Sequence, residues 1–140
     1  MREEIRQEVV RTTNVTVYIA DDGTEFRGRG DCLRYEWEKL KKPLLEKLQK
    51  CEDAYGIPNC DGGYVSDCND YEWYFIRNQE DIDILNDVYY IGLTDKVIGE
   101  WVCVEIDEVN DAWYSTASDG IKYATDLLTK LGYKVEITKV

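Results

Sequence analysis

The spacing of apolar residues alternates along this chain between a period of two and a period near 3.6. Residues 15–20 place Val or Ile at every second position, which predicts a strand with one buried face. Further strands are predicted over residues 71–77 and 100–109 and from Val135 onward. Because helical patterns lie between these strands, the sequence predicts the order β-α-β-α-β-α-β.

The first helical pattern begins near Asp31, which can cap it, and places apolar residues at steps of three or four. This spacing predicts one buried face, formed by Leu33, Trp37, Leu40, Leu44 and Leu48. Pro43 lies within the pattern, where it removes a backbone donor and clashes with the preceding turn. The helix is therefore predicted to kink or split near Lys41 and Lys42.

Two further helices are predicted in the second half of the chain. Asn78 can cap the first of them, and its predicted buried residues are Ile82, Leu85 and either Val88 or Tyr89. The second begins at Ser118 or Asp119 and ends at Gly132. Its predicted apolar stripe consists of Ile121, Ala124, Leu127, Leu128 and Leu131.

Three helices packed on a four-stranded mixed sheet are therefore predicted, in the α/β (α+β) class. A length of 140 residues fits one domain, so residues 1–140 are predicted to form a single acidic α/β domain. No stretch reaches the ~20 apolar residues of a membrane span, and the first residues lack the apolar core of a signal peptide. We therefore expect a cytoplasmic protein that contacts no membrane.

The net charge of −12 is concentrated in the middle of the chain. Residues 51–111 carry 16 acidic and two basic side chains, whereas residues 1–50 carry ten acidic and eleven basic ones. Residues 112–140 carry three acidic and four basic side chains. A negatively charged surface attracts basic partners and repels nucleic-acid phosphates. The acidic segment therefore predicts a basic protein partner and no direct contact with nucleic acid, with a role in solubility alone as the alternative.

The charged face predicted for this partner is drawn from the acidic segment. Its carboxylates are Asp67, Asp70, Glu72, Glu80, Asp81, Asp83, Asp87, Glu105, Asp107 and Glu108. Tyrosines interleaved with them are candidate anchors, because a tyrosine supplies contact area at low entropic cost. The candidates are Tyr64, Tyr74 and Tyr90.

Several kinds of chemistry are disfavoured by the residue types that this sequence lacks. There is no histidine, which removes the usual general base near neutral pH, and there is no glycine-rich phosphate-binding loop. The carboxylates over residues 105–111 fit a solvated turn better than a metal site. Cys51, Cys60 and Cys68 lack the tight pair that zinc sites use. The sequence therefore predicts no catalytic residue, no cofactor, no bound metal and five free thiols.

Four stretches resemble small acidic proteins encoded by phages of Gram-positive bacteria. They are Tyr-Ile-Ala-Asp-Asp-Gly-Thr-Glu-Phe at residues 18–26 and the stretches at 32–36, 74–86 and 131–137. The resemblance implies a viral or mobile-element origin. It also implies action against host defences, including CRISPR nucleases and restriction enzymes, and it transfers no active-site residue.

The leading hypothesis is a non-enzymatic inhibitor that binds a basic, nucleic-acid-binding surface of a host protein and occludes it. On the resemblance, the expected target is a CRISPR effector.

Two alternatives stay open. The first is a sponge for a nucleotide signal, which predicts a pocket lined by arginines. The candidates for such a pocket are Arg27, Arg29, Arg34 and Arg77. The second is a phage assembly component, which predicts a large exposed apolar patch or a closed oligomer. The sequence leaves the oligomeric state open.

Overall fold

The structure is a computed structural model that describes residues 1–8, 13–54, 69–107 and 109–140. It divides into two compact units, Met1–Lys47 (unit 1) and Leu48–Val140 (unit 2). Among the described residues, each unit contains one antiparallel sheet. No helix in the described part of the chain is long and apolar enough to cross a membrane.

The sheet of unit 1 has three strands in the order β1-β2-β3. They are β1 (Arg2–Glu8), β2 (Thr13–Ile19) and β3 (Glu25–Phe26). Val17 and Ile19 are buried, which confirms the predicted strand and its inward face. β1 was not predicted because most of its residues are charged, and charged residues are typical of an exposed edge strand.

A continuous helical segment follows β3 in three parts. These parts are α1 (Arg29–Tyr35), a π-helical turn (Glu36–Lys41) and α2 (Lys42–Leu45). Pro43 lies at the start of α2, where a missing backbone donor is tolerated. The π-helical turn gives way to α2 between Lys41 and Lys42, so the helix changes type at the predicted position without breaking there.

The face that this helical segment buries differs from the prediction. Cys32 and Glu36 are buried, whereas Leu33 and Trp37, predicted as core residues, are exposed. Gly28 is the N-cap residue and makes no side-chain capping bond, and Asp31 lies in the first turn of the helix instead of capping it.

A polar cluster explains this rotation of the helix. The Glu36 carboxylate accepts a hydrogen bond from the backbone N–H of Asp21 at 3.0 Å and lies 2.9 Å from the α-amino group of Met1. Because a buried carboxylate requires such partners, Glu36 turns inward together with Cys32. Apolar spacing alone could not indicate this orientation.

The sheet of unit 2 has four strands in the order β4-β5-β6-β7. They are β4 (Gln49–Cys51), β5 (Asp70–Phe75), β6 (Trp101–Ile106) and β7 (Ala112–Thr116). The two central strands are buried on both faces. The side chains responsible are Trp73 and Tyr74 in β5 and Val102, Cys103, Val104 and Glu105 in β6.

Unit 2 also contains α3 (Gln79–Tyr89), a 3-10 turn (Asp95–Val97) and α4 (Ala117–Lys130). The predicted cap of α3 is confirmed, because the Asn78 side chain accepts a hydrogen bond from the Asp81 N–H at 3.1 Å. The predicted core face of α3 is confirmed as well, with Ile82, Leu85 and Val88 buried.

The predicted combination of helices and strands is confirmed, but the single four-stranded mixed sheet is wrong. The described residues form two antiparallel sheets, because β1, β3, β4 and β7 pair without showing an apolar alternation in the sequence. The strand expected from Val135 onward is absent from residues 133–140. The α4 stripe expected in the core is exposed at Ile121, Leu127 and Leu131.

Candidate interaction surface

The carboxylates predicted to form one charged face divide into groups with different surroundings. Glu72, Asp81 and Glu105 are engaged by neighbouring side chains within unit 2. Those that are exposed are Asp70, Glu80, Asp83 and Asp87. Asp67, Glu108 and the candidate anchor Tyr64 lie outside the described residues.

Asp81 lies in α3 and is bound by Arg77, which precedes the helix. The Asp81 residue is 2% exposed. Arg77 donates from its backbone N–H to Oδ2 at 2.8 Å, and its Nε and Nη2 donate to Oδ2 and Oδ1, each at 2.9 Å. These hydrogen bonds from the guanidinium hold the pKa of Asp81 below its ordinary value, although burial opposes the effect. The prediction that Asp81 belongs to an exposed face is therefore wrong.

Glu105 lies 6% exposed in β6 and is held by three neutral donors. Its Oε1 accepts hydrogen bonds from Asn69 Nδ2 at 2.6 Å and the Tyr71 hydroxyl at 2.7 Å, and its Oε2 accepts from Trp113 Nε1 at 2.7 Å. Tyr71 in β5 and Trp113 in β7 are the register partners of Glu105, so all three share one face of the sheet. Glu105 is thus a structural carboxylate, and its predicted place on the charged surface is wrong.

Glu72 joins the sheet to α3. Its Oε2 accepts hydrogen bonds from the hydroxyls of Tyr74 and Tyr89, the latter at 3.1 Å, and its Oε1 accepts from Lys50 Nζ at 3.3 Å. Burial raises the pKa of both tyrosines. Tyr74 is a buried residue, so the prediction that it is an exposed anchor is wrong.

The exposed carboxylates gather on one side of α3. Glu80, Asp83 and Asp87 follow at steps of three and four residues, which aligns them along one helical face. Among the described residues none of the three forms an ion pair; Asp83 accepts a hydrogen bond from Gln79 Nε2 at 2.9 Å. The last turn of α3 contains no basic residue, so Asp87 lies near the negative end of the helix dipole without a compensating cation.

Tyr90 continues this row three residues after Asp87. It is the C-cap residue of α3, it adopts the left-handed conformation with φ 55°, and it is 76% exposed. A residue other than glycine in this conformation is disfavoured by about 1 kcal/mol. We call Glu80, Asp83, Asp87 and Tyr90 together the α3 surface.

Two other predicted carboxylates lie near or beyond this surface. Asp70 is exposed in β5 and shares its sheet face with Glu72, on the side where Tyr89 of α3 lies. Asp107 closes the turn after β6, where its Oδ1 accepts from the N–H groups of Val109 at 3.0 Å and Asp111 at 2.9 Å. Asp107 is therefore engaged by its own turn.

Unit 1 contains a cavity of about 310 Å³ lined by Arg6, Gln7, Val15, Val17, Glu25, Phe26 and Arg27. Of the four predicted arginines, the described lining includes Arg27. Arg29 and Arg34 lie exposed on α1, and Arg77 is engaged by Asp81. The second arginine of the cavity, Arg6, is not one of the predicted four, and its guanidinium is neutralised by Glu4 and Glu25.

Three cysteines can be placed in the structure, and all three are free. Cys32 and Cys103 are buried, and burial together with the negative charge of Glu105 raises the pKa of the Cys103 thiol to about 12. Cys60 and Cys68 lie outside the described residues. No group of three or more potential metal ligands occurs among the residues that the structure describes.

Several residues that organise the site were missed by sequence reasoning. They are the side chains that hold the inward carboxylates: Lys50, Asn69, Tyr71, Tyr89 and Trp113. Their role depends on the register of β5, β6 and β7, and the alternation of β5 and β6 in the sequence does not specify that register.

No family model matches this sequence, and comparisons with curated proteins and with solved structures gave no significant match.

Proposed function

We propose that this is a non-enzymatic binding protein whose α3 surface docks on a basic, nucleic-acid-binding surface of a partner protein. The observation that carries the proposal is Tyr90, an exposed aromatic ring in a disfavoured backbone conformation at the end of a row of carboxylates. An aromatic anchor beside charged residues is a frequent arrangement at protein interfaces.

Two features of α3 reduce its own stability. Asp87 opposes the helix dipole, and Tyr90 occupies a conformation that favours glycine. Solubility requires neither of them, because a carboxylate elsewhere on the helix and a glycine at position 90 would serve equally well. Strained residues are concentrated at functional sites, which supports binding as the role of this surface.

The mechanism follows from charge. The carboxylates of the α3 surface attract a groove lined by Lys and Arg and accelerate association with it. Once the chain is bound, its carboxylates occupy the positions of nucleic-acid phosphates, and Tyr90 slows dissociation. Inhibition then results from occlusion, with a CRISPR effector or a restriction enzyme as the proposed class of target.

Surface plasmon resonance tests this proposal with a purified CRISPR nuclease and a purified restriction enzyme as immobilised partners. Asp83→Lys combined with Asp87→Lys should reduce the association rate by about tenfold or more at low salt, because charge complementarity mainly sets that rate. Tyr90→Ala should increase the dissociation rate. Guide RNA or duplex DNA should compete with the chain for the partner.

Glu38→Lys combined with Glu46→Lys is the matched control, because it makes the same charge change on the helical segment of unit 1 and at the residue that ends it. This control should leave both rates nearly unchanged. Occlusion through α3 would be refuted if a partner bound nucleic acid and this protein at the same time. Binding that the α3 variants leave intact would refute it as well.

The cavity of unit 1 supports a second candidate function, sequestration of a small anionic ligand. Its volume of about 310 Å³ lies at the lower end of the range for ligand pockets. Arg6 and Arg27 both line this cavity, and their guanidinium groups are the positive charges that an anionic ligand would meet there. Calorimetric titration with cyclic dinucleotides tests this candidate, and heat that disappears in Arg27→Ala would favour it over protein docking.

A further inference from the structure

Unit 2 leaves the outer edge of its sheet open at β7. The far side of this strand pairs with no other strand among the described residues. β7 has the sequence Ala-Trp-Tyr-Ser-Thr, which contains neither a charged residue nor a proline. Charged residues and proline usually prevent an exposed edge strand from pairing with another chain. Because β7 has neither, its free edge can accept another strand.

The helix that follows β7 exposes an apolar stripe. Ile121 and Leu127 lie on α4 and Leu131 is its C-cap residue; their exposures are 44%, 45% and 64%. Gly120 is the one buried residue of this helix, in contrast to α3, whose apolar stripe is covered. An amphipathic helix gains most of its stability from burying its apolar face. α4 packs on β6 and β7, and the exposed part of its stripe leaves apolar surface that a further partner could cover.

The segment 133–140 follows α4 and has the pattern of a strand without being one. Apolar and polar residues alternate from Tyr133 to Thr138, and the segment contains neither glycine nor proline. Tyr133 and Ile137 are more than half exposed. A strand needs a second strand for its backbone hydrogen bonds, and segment 133–140 pairs with no strand in the described part of unit 2.

We propose that a second copy of this chain covers these three features. Segment 133–140 of each copy adds as a strand to the β7 edge of the other copy, and the two α4 stripes are buried in the same interface. Under two-fold symmetry each copy donates one strand and accepts one, so the donor and the acceptor present in one chain are both satisfied.

Charge supports a second copy as the occupant. Residues 112–140, which contain all three features, carry three acidic and four basic side chains, whereas residues 51–111 carry 16 acidic and two basic ones. Two copies can therefore approach through residues 112–140 without the like-charge repulsion that the α3 surface would impose. The basic partner proposed for α3 gains no electrostatic attraction in this region.

Sedimentation velocity over a wide range of protein concentration tests the proposal. The wild-type mass should rise to twice 16.3 kDa. Glu136→Pro combined with Ile137→Pro should halve that mass, because one of two adjacent amides faces the accepting edge in any strand pairing. Leu127→Lys on the exposed stripe of α4 should also halve it. Backbone amides of residues 112–116 and 134–138 should exchange their hydrogens more slowly in the wild type than in the proline variant, because strand pairing in the dimer protects them.

Two controls separate this inference from the proposed function. Val109→Lys changes an exposed apolar residue in the turn after β6, and it should leave the mass doubled. Asp83→Lys with Asp87→Lys should also leave it doubled while affecting partner binding. A single-chain mass at every concentration, whether or not residues 134–138 are protected, overturns the proposal, as does a dimer that survives both the proline and the Leu127→Lys variants.

Discussion

Glu105 accepts hydrogen bonds from Asn69, Tyr71 and Trp113 while lying almost fully buried. At the scale of single residues, Glu105→Gln would place an amide N–H₂ against one of these donors and leave a buried polar group unsatisfied. We expect the free energy of unfolding to fall by about 1–3 kcal/mol. Urea unfolding at neutral pH measures this change.

Asp70→Asn is the matched control for this residue-scale prediction, because Asp70 is an exposed carboxylate in β5 of the same sheet. Its effect should stay within about 0.5 kcal/mol. Equal losses in the two variants would mean that burial and hydrogen bonding do not distinguish the two carboxylates.

The two ends of α3 make opposite predictions at the scale of the element. Asn78→Ala removes the side-chain acceptor for the Asp81 N–H and should lower the free energy of unfolding by about 1 kcal/mol. Tyr90→Gly relieves the left-handed conformation at the other end and should raise it by about 0.5–1 kcal/mol. Chemical denaturation of both variants checks the two signs.

The same pair of variants separates stability from binding. Tyr90→Gly should weaken partner binding although it stabilises the helix, whereas Asn78→Ala should leave binding nearly unchanged. A destabilising Tyr90→Gly would show that the exposed ring contributes contacts that outweigh the conformational penalty at position 90.

The net charge of −12 governs the response of the whole molecule to salt. Like charges repel within the folded state, and salt screens that repulsion. Raising NaCl from low to about 0.5 M, where the Debye length falls to a few ångström, should therefore raise the midpoint of thermal unfolding. The same change should weaken binding of a basic partner, because it screens an attraction.

Asp83→Asn with Asp87→Asn is the variant that checks the source of this effect. It should reduce the response of both the unfolding midpoint and the partner affinity to salt. A midpoint that falls with added salt would instead indicate that ion pairs such as Arg6 with Glu25 outweigh the repulsion among the acidic residues.

The elements whose evidence is local could be predicted from the amino-acid sequence. Period-two spacing located β2, β5 and β6, the Asn78 cap located the start of α3, and Pro43 located the start of α2. Each of these depends on neighbouring residues, because rotamers, caps and missing donors act within a few positions. The concentration of acidic residues in the middle of the chain was likewise readable from composition.

Tertiary structure alone decided which carboxylates face inward and which strands pair. Glu105 and Glu80 were assigned to the same charged surface from the sequence, but the register of β5, β6 and β7 brings Tyr71 and Trp113 to Glu105, whereas Glu80 lies exposed on α3. β7 is a strand because β6 offers it an edge, and residues 133–140 are not, although their apolar alternation is clearer. The reason is physical: strand formation and carboxylate burial both depend on partners distant in sequence, which no local pattern specifies.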